Sequence, residues 1–153
     1  MAIKVGDRLP EGKLMESTEF DSGTQCAMPP KEVNVGDAVR GKKIAIFGLP
    51  GAYTPTCSAK HVPSYVQNLD ALKNMAHWGR DQKALGKIRF LGDGSAQWTK
   101  ALGLELDLNP RGMGTRMQRF SMLVDNGVVK QLNIEGPGKF EVSDAGTLLR
   151  QLG

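Results

Sequence analysis

Cysteine and histidine are scarce in this chain: Cys26 and Cys57, His61 and His77. Their spacing fits no zinc pattern, and no Cys-x-x-Cys pair is present for thiol–disulfide exchange. Cys57 is set apart by what precedes it, Pro50-Gly51-Ala52-Tyr53-Thr54-Pro55-Thr56-Cys57. Thr54 is a good helix N-cap, and Pro55 suits the first helical position. Cys57 is then the third helical residue. Its sulfur lies among unpaired backbone N–H groups at the positive end of the helix dipole. Such surroundings favour a thiolate, the form of cysteine that acts as a nucleophile. The chemistry predicted is that of a redox-active nucleophile. Free cysteine is also often a small buried apolar residue, but the cap geometry makes that the weaker reading. His61, four residues on, can share a helix side with the sulfur, so a Cys–His pair is conceivable. The kink or break expected at Pro63 favours a structural role for His61 instead. His77 has no nearby partner in sequence and reads as a surface or packing residue.

The elements that must hold this turn follow from hydrophobic periodicity and turn chemistry. Lys43-Ile44-Ala45-Ile46-Phe47-Gly48 is an apolar run bounded by glycines and predicts a buried strand. Leu49 to Tyr53 form a Pro/Gly turn, and the helix from Thr54 continues through Val62, Tyr65, Val66, Leu69 and Leu72. A second helix is predicted over Ala76 to Leu85 and a strand over Ile88 to Leu91, ending in Gly92-Asp93-Gly94. Ser95 can cap a helix through Leu102, and Asn109 to Thr115 reads as a glycine-rich loop. Within it, Gly112-Met113-Gly114 lacks the Lys-Ser/Thr of a phosphate loop. Arg119 to Val124 and Val128 to Ile134 flank Asp125-Asn126-Gly127, a strong hairpin signal. Ser143 can cap a last helix carrying Leu148, Leu149 and Leu152. Residues 1 to 40 look irregular, with turn signals such as Gly36-Asp37 and short strands in a hairpin. The order specifies a three-layer α/β arrangement with a mixed sheet. It puts Cys57 where open α/β sheets keep their sites.

With 153 residues, 40% hydrophobic and 24% charged, the chain has the material for one globular, soluble domain. Its net charge of +4 is spread along the sequence, unlike the clustered basic stripe of a nucleic-acid binder. No window approaches a transmembrane span, and the N-terminus shows no apolar core of signal-peptide length. A cytoplasmic, reducing setting is therefore expected.

The motif Pro50-x-x-x-Thr54-x-x-Cys57 resembles the active-site pattern of peroxiredoxins. The wider stretch from Phe47 to Pro63, with Ser58, Lys60, His61 and Val62, looks like the type II (atypical) peroxiredoxins of the redoxin family. The similarity continues in Trp78-Gly79-Arg80, Phe90-Leu91-Gly92-Asp93-Gly94-Ser95, Leu102-Gly103-Leu104-Glu105-Leu106-Asp107 and Gln118 to Gly127. The resemblance implies a thioredoxin-like fold in a single domain over residues 1–153, and thiol-dependent reduction of hydrogen peroxide and alkyl hydroperoxides. It implies that Cys57 attacks the peroxide to form a sulfenic acid, that Thr54 contacts sulfur and peroxide, and that Arg119 supports the thiolate and the developing charge. Pro50 would shield the sulfur from water. A multi-donor guanidinium suits a thiolate and a departing oxygen anion, and a fixed cluster of this kind needs no cofactor. Arg80 and Arg116 can add positive potential or be surface charges.

The chain also departs from the family pattern. Relatives carry a strand after the active-site helix, ending in a Val-Asn-Asp turn, where Lys73-Asn74-Met75-Ala76-His77-Trp78 here runs straight through. Lys87 to Leu91 could then pair beside Ile44 to Phe47, or the chain is a deleted form of reduced stability. A second cysteine, kept by relatives in that strand or near the C-terminus, is absent; Cys26 is the only other thiol and reads as incidental. One-cysteine behaviour follows, with glutathione plus glutaredoxin, or thioredoxin, as reductant and with over-oxidation at high peroxide. Homodimers are common among relatives. Two other readings are a protein that senses peroxide by oxidation of Cys57, and an inactive product of the internal deletion.

Overall fold

A computed structural model describes residues 1–16, 20–21, 26–27, 29–51, 56–67 and 88–152. The N-terminal region holds the short strands expected of it: β1 (Lys13–Glu16), β2 (Phe20–Asp21), β3 (Cys26–Ala27) and β4 (Lys31–Asn34). β1 pairs antiparallel with β4, and β2 with β3. Gly36-Asp37, expected as a turn, lies inside a short helix α1 (Val35–Val39), because the Asn34 side chain caps it by accepting from the Asp37 N–H.

The apolar run Lys43–Gly48 forms β5 with the predicted bounds. It pairs antiparallel with β9 (Phe120–Asp125), which pairs in turn with β10 (Val128–Ile134). Asn126 and Gly127 close that hairpin at φ 47° and 79°, the positive values a two-residue turn of this kind requires. β9 is buried along almost its whole length because it is the middle strand and both its faces are covered. Its Phe120, Met122 and Val124 join Ile44 and Ile46 in a core with Ile3, Leu14, Val35, Val39, Trp98 and Leu102. Its Leu123 joins Ala45 and Phe47 on the opposite face, with Tyr65, Ile88, Phe90, Ala145 and Leu148. This alternation is the two-residue period of a strand. It yields the expected three layers, with β1, α1 and α3 (Gln97–Leu102) on one side of the sheet and α2 (Val62–Gln67) and α4 (Ala145–Arg150) on the other.

Several local expectations are corrected. At Pro63, where a kink or a break was expected, the helix is irregular but not broken. Cys57–His61 form a π-helical turn in which the Val62 N–H reaches the Cys57 carbonyl, and α2 follows directly. The bonding is thus widened just before a residue that has no N–H to give. The strand expected over Ile88 to Leu91 is confined to β6 (Leu91–Gly92), and its partner is β1. The placement of Leu91 beside Ile44 to Phe47 is therefore overturned, although Ile88 and Phe90 do pack with Ala45 and Phe47. The loop expected over residues 109–115 starts with one 3-10 turn, Asn109–Arg111, and is the connection of a further hairpin, β7 (Glu105–Asp107) with β8 (Thr115–Met117). The helix predicted over Ala76 to Leu85 and the deletion around residues 73–78 lie outside the described residues.

The capping residues differ too. Ser95 does not cap α3. Asp93 does so, its carboxylate accepting from the Thr99 N–H and hydroxyl, each at 2.7 Å, and more weakly from the Trp98 N–H. A carboxylate has two acceptor oxygens and more lone pairs than a single hydroxyl. Likewise Asp144, not Ser143, caps α4, accepting from the Thr147 N–H and hydroxyl. Asp93→Ala should therefore lower stability by about 1–2 kcal/mol, and Ser95→Ala by less than about 0.5 kcal/mol, in chemical denaturation. Equal losses at the two positions would contradict the assignment.

Candidate active site

The site is assembled where the end of β5, the π-helical turn and the start of β9 meet. β5 and β9 are in register with Gly48 opposite Phe120. A Cβ on Gly48 would run into the Phe120 ring and come within 2.6 Å of the Met117 sulfur, so the close approach of the two strands depends on glycine here. Arg119 directly precedes β9, and its carbonyl accepts from the Glu135 N–H at 2.9 Å. Its guanidinium reaches across to the turn that carries Cys57.

Cys57 is fully buried. Arg119 Nη2 donates to its sulfur at 3.2 Å, and Nη1 lies 2.9 Å from His61 Nδ1. Because a guanidinium only donates, Nδ1 must accept, and the ring proton sits on Nε2. That nitrogen donates to the Ser143 carbonyl at 3.1 Å. The same carbonyl accepts from the Tyr65 hydroxyl at 2.9 Å. His61 is thus a neutral ring of fixed tautomer between a cation and a carbonyl. It is enclosed by Phe47, Tyr65 and Phe140, with ring centroids at 5.3, 5.7 and 5.0 Å. Burial, and then the charge of Arg119, lowers its pKa from 6.5 to about 4. Burial also raises the Tyr65 hydroxyl, so it stays a donor. Phe140 lies under the guanidinium, 5.8 Å from ring centroid to Cζ, an arrangement that suits a cation.

The segment holding Ser143 is fixed by Glu135. One carboxylate oxygen accepts from the N–H groups of Glu141, Val142 and Ser143, each at 2.8 Å, and from the Ser143 hydroxyl at 2.9 Å. Burial pushes this carboxyl up, but those four donors outweigh it and hold its pKa below the usual value. Asp144 is also held low, because its bonds to Thr147 outweigh burial.

Of the residues singled out in the sequence, the structure brings Cys57 and Arg119 together. Pro50 is half-buried in the turn after β5. Thr54, Arg80 and His77 lie outside the described residues. Arg116 is exposed and donates to the Met113 carbonyl of its own loop. Cys26 stands in β3, opposite Asp21. A Cys57–His61 acid–base pair is not what forms, since both ring nitrogens are engaged elsewhere; the structural role expected of His61 holds, with Arg119 as its object. Ser143, Glu135 and Phe140 were not recognisable as site residues. The signals for His61 were its spacing from Cys57 and its place in the stretch that resembles the family. Among the described residues no group of three or more His, Cys, Asp or Glu side chains could hold a metal ion, and no helix is long and apolar enough to cross a membrane.

Comparison with known proteins gives the relatives of this chain. The Redoxin family model matches residues 4–76 and 70–149, two pieces that meet where the sequence departs from its relatives. Peroxiredoxin-2C of Oryza sativa subsp. japonica is 38% identical over 166 aligned positions, covering 98% of both proteins, and Peroxiredoxin-2D of Arabidopsis thaliana is 37% identical over the same length and coverage. Those alignments exceed the 153 residues of this chain, so the relatives carry residues it lacks. Among solved structures, reduced Prx3 of Vibrio vulnificus in complex with hydrogen peroxide is 38% identical, with a TM-score of 0.87 and 99% of both chains covered. A Burkholderia cenocepacia structure, provisionally described as a thioredoxin reductase, is 46% identical with a TM-score of 0.90, covering 100% of this chain and 99% of that one.

The depressed basicity of His61 has a consequence for stability. An unfolded chain takes up this proton near pH 6.5, whereas the folded one resists it until about pH 4. The contribution is complete above pH 6.5 and is lost as pH falls toward 4, by about 3 kcal/mol. His61→Asn, which cannot titrate, should show a shallower loss of stability between pH 6.5 and 5, measured by denaturant unfolding. Parallel curves for the two proteins would contradict a neutral buried ring. Glu135 and Asp144 add their own loss at lower pH in both proteins.

Proposed function

As a type II peroxiredoxin of the redoxin family with a thioredoxin-like α/β fold, this chain is a thiol-dependent peroxidase, and we propose that Cys57 is its peroxidatic cysteine, assisted by Arg119, Thr54 and Pro50. The observation that carries this reading is the 3.2 Å hydrogen bond from the Arg119 guanidinium to the Cys57 sulfur. A cation fixed at the sulfur stabilises negative charge there, and its second nitrogen is held by His61 rather than by solvent. The thiolate attacks the nearer peroxide oxygen. A sulfur–oxygen bond forms, the oxygen–oxygen bond breaks, and two electrons pass from sulfur to the peroxide. The departing alkoxide or hydroxide takes a proton and leaves as alcohol or water, with Cys57 as a sulfenic acid. The Arg119 donors lie where that negative charge travels, from sulfur to the leaving oxygen. The Thr54 hydroxyl would bridge sulfur and peroxide, and Pro50 would keep water from the sulfur.

The substrates are hydrogen peroxide and alkyl hydroperoxides. The sulfenic acid returns to the thiol through a one-cysteine cycle: an external thiol displaces water to form a mixed disulfide, and a second thiol releases Cys57. Glutathione with glutaredoxin, or thioredoxin, supplies those thiols. The sulfur is closed to solvent, so the site must open before a reductant can reach it. The working unit is a single domain over residues 1–153 in the cytoplasm, and it pairs as a homodimer.

Hydroperoxide consumption should fall to the uncatalysed rate in Cys57→Ser with either reducing system. Cys26→Ser should stay within about twofold of the wild type; a collapse of Cys26→Ser to the level of Cys57→Ser would refute the one-cysteine cycle. Arg119→Lys keeps the charge but loses the fork that serves sulfur and imidazole together. Its rate constant with hydrogen peroxide in stopped-flow mixing should drop by about a hundredfold, and an unchanged rate would remove Arg119 from the mechanism.

A further inference from the structure

Glu135 stands outside the group that touches the sulfur, yet it is tied to that group from two directions. Its N–H donates to the Arg119 carbonyl at 2.9 Å, which fixes the backbone from which the guanidinium extends. Its carboxylate gathers three successive N–H groups, from residues 141 to 143, and the Ser143 hydroxyl on one oxygen. That segment ends in the Ser143 carbonyl, the acceptor for both His61 Nε2 and the Tyr65 hydroxyl. A buried carboxylate is costly unless its donors are complete, and here a charge is spent on a loop whose Ser143 carbonyl sets a histidine tautomer. The tautomer matters because only an Nδ1 lone pair can accept from Arg119.

We propose that Glu135 is a positioning residue for the peroxidase reaction: by clamping residues 141–143 it holds the Ser143 carbonyl on His61, and through His61 keeps the Arg119 guanidinium on the Cys57 sulfur. The chain of contacts is continuous: Glu135 Oε1 to the Ser143 N–H, Ser143 carbonyl to His61 Nε2, His61 Nδ1 to Arg119 Nη1, Arg119 Nη2 to Cys57 Sγ. The charged and titratable groups bordering it are Arg119, Asp144, Tyr65 and Cys57. The inference rests on Cys57 being the peroxidatic cysteine.

The test uses the full chain and follows two signals of the sulfur, the rate constant with hydrogen peroxide in stopped flow and the pH profile of iodoacetamide alkylation. Circular dichroism confirms folding. Glu135→Ala should slow the peroxide reaction about tenfold or more and move the alkylation profile to higher pH. Glu135→Gln keeps an acceptor without the charge and should restore the rate to within about threefold of the wild type. Combined with His61→Asn, Glu135→Ala should add little further loss, because both act on one contact chain. A folded Glu135→Ala with wild-type rate and alkylation profile overturns the proposal, as do fully multiplicative effects in the double variant. If Glu135→Ala does not fold, Glu135→Gln and Ser143→Ala carry the test: a two- to threefold slowing in both is expected, and wild-type rates in both overturn it. Cys57→Ser separates the two levels. Peroxide consumption surviving in Cys57→Ser sinks the reading of the site itself, whereas a silent Cys57→Ser beside an unaffected Glu135→Ala sinks only the role of Glu135.

Discussion

One guanidinium joins the sheet of this molecule to the helical turn that carries Cys57. Arg119 stands at the threshold of β9, while its two partners belong to the π-helical turn: Cys57 Sγ at 3.2 Å and His61 Nδ1 at 2.9 Å. A half-buried cation keeps such a position only if its neighbours accept and do not compete by donating. A protonated imidazole would present two donors and repel it. The ring is kept neutral by its surroundings, the Phe47, Tyr65 and Phe140 rings that exclude water and the Arg119 charge itself. Apolar packing thus acts on function through electrostatics. It selects the one protonation state of His61 that can hold the arginine.

The reach of Arg119 is set by strand pairing. Opposition of Gly48 and Phe120 brings the end of β5 against the start of β9, and the absence of a side chain at Gly48 lets the Phe120 ring sit in the core there. A one-residue slip would turn Phe120 and Met122 out of one core and Leu123 out of the other. Register is therefore enforced on both faces of the sheet. The same enforcement places the arginine, since Arg119 is the residue immediately beyond the last paired position. Across the hairpin, the Glu135 N–H on the Arg119 carbonyl closes that end of the sheet.

How much of this could be read from the sequence follows the range of the interactions. β5 and the β9–β10 hairpin were legible because an apolar run and an Asn-Gly turn act locally. Cys57 was legible through the helix-start signals that precede it and through motif resemblance, and Arg119 through the resemblance alone. The caps were misread at Ser95 and Ser143 because serine is a good cap by type. The aspartates that took over are spaced to reach more than one donor. Ser143 was thereby freed to face Glu135 and His61, across 8 and 82 residues of sequence. No periodicity carries such a contact. The π-helical turn was equally hidden, since Pro63 announces an irregularity but not its form. β6 was shifted because its partner is β1 in the N-terminal region, not the strand that its apolar run resembles.

The shortened stretch after the active-site helix raises the question of whether the sulfur is still held. Contacts among the described residues hold it from several elements. Cys57 and His61 lie in the π-helical turn, Arg119 at the start of β9, Glu135 after β10 and Ser143 before α4. Those elements are braced against one another by a core of Ala45, Tyr65, Leu123, Ala145 and Leu148. Tyr65 belongs to both systems, stacked on Phe47 at 4.1 Å within the core and donating to the Ser143 carbonyl at the site. Among the described residues, the frame that holds the cysteine is thus built from β5, the π-helical turn, α2, β9 and α4. The guanidinium, the imidazole and the sulfur take their mutual geometry from the sheet and from the Ser143 carbonyl beside Glu135.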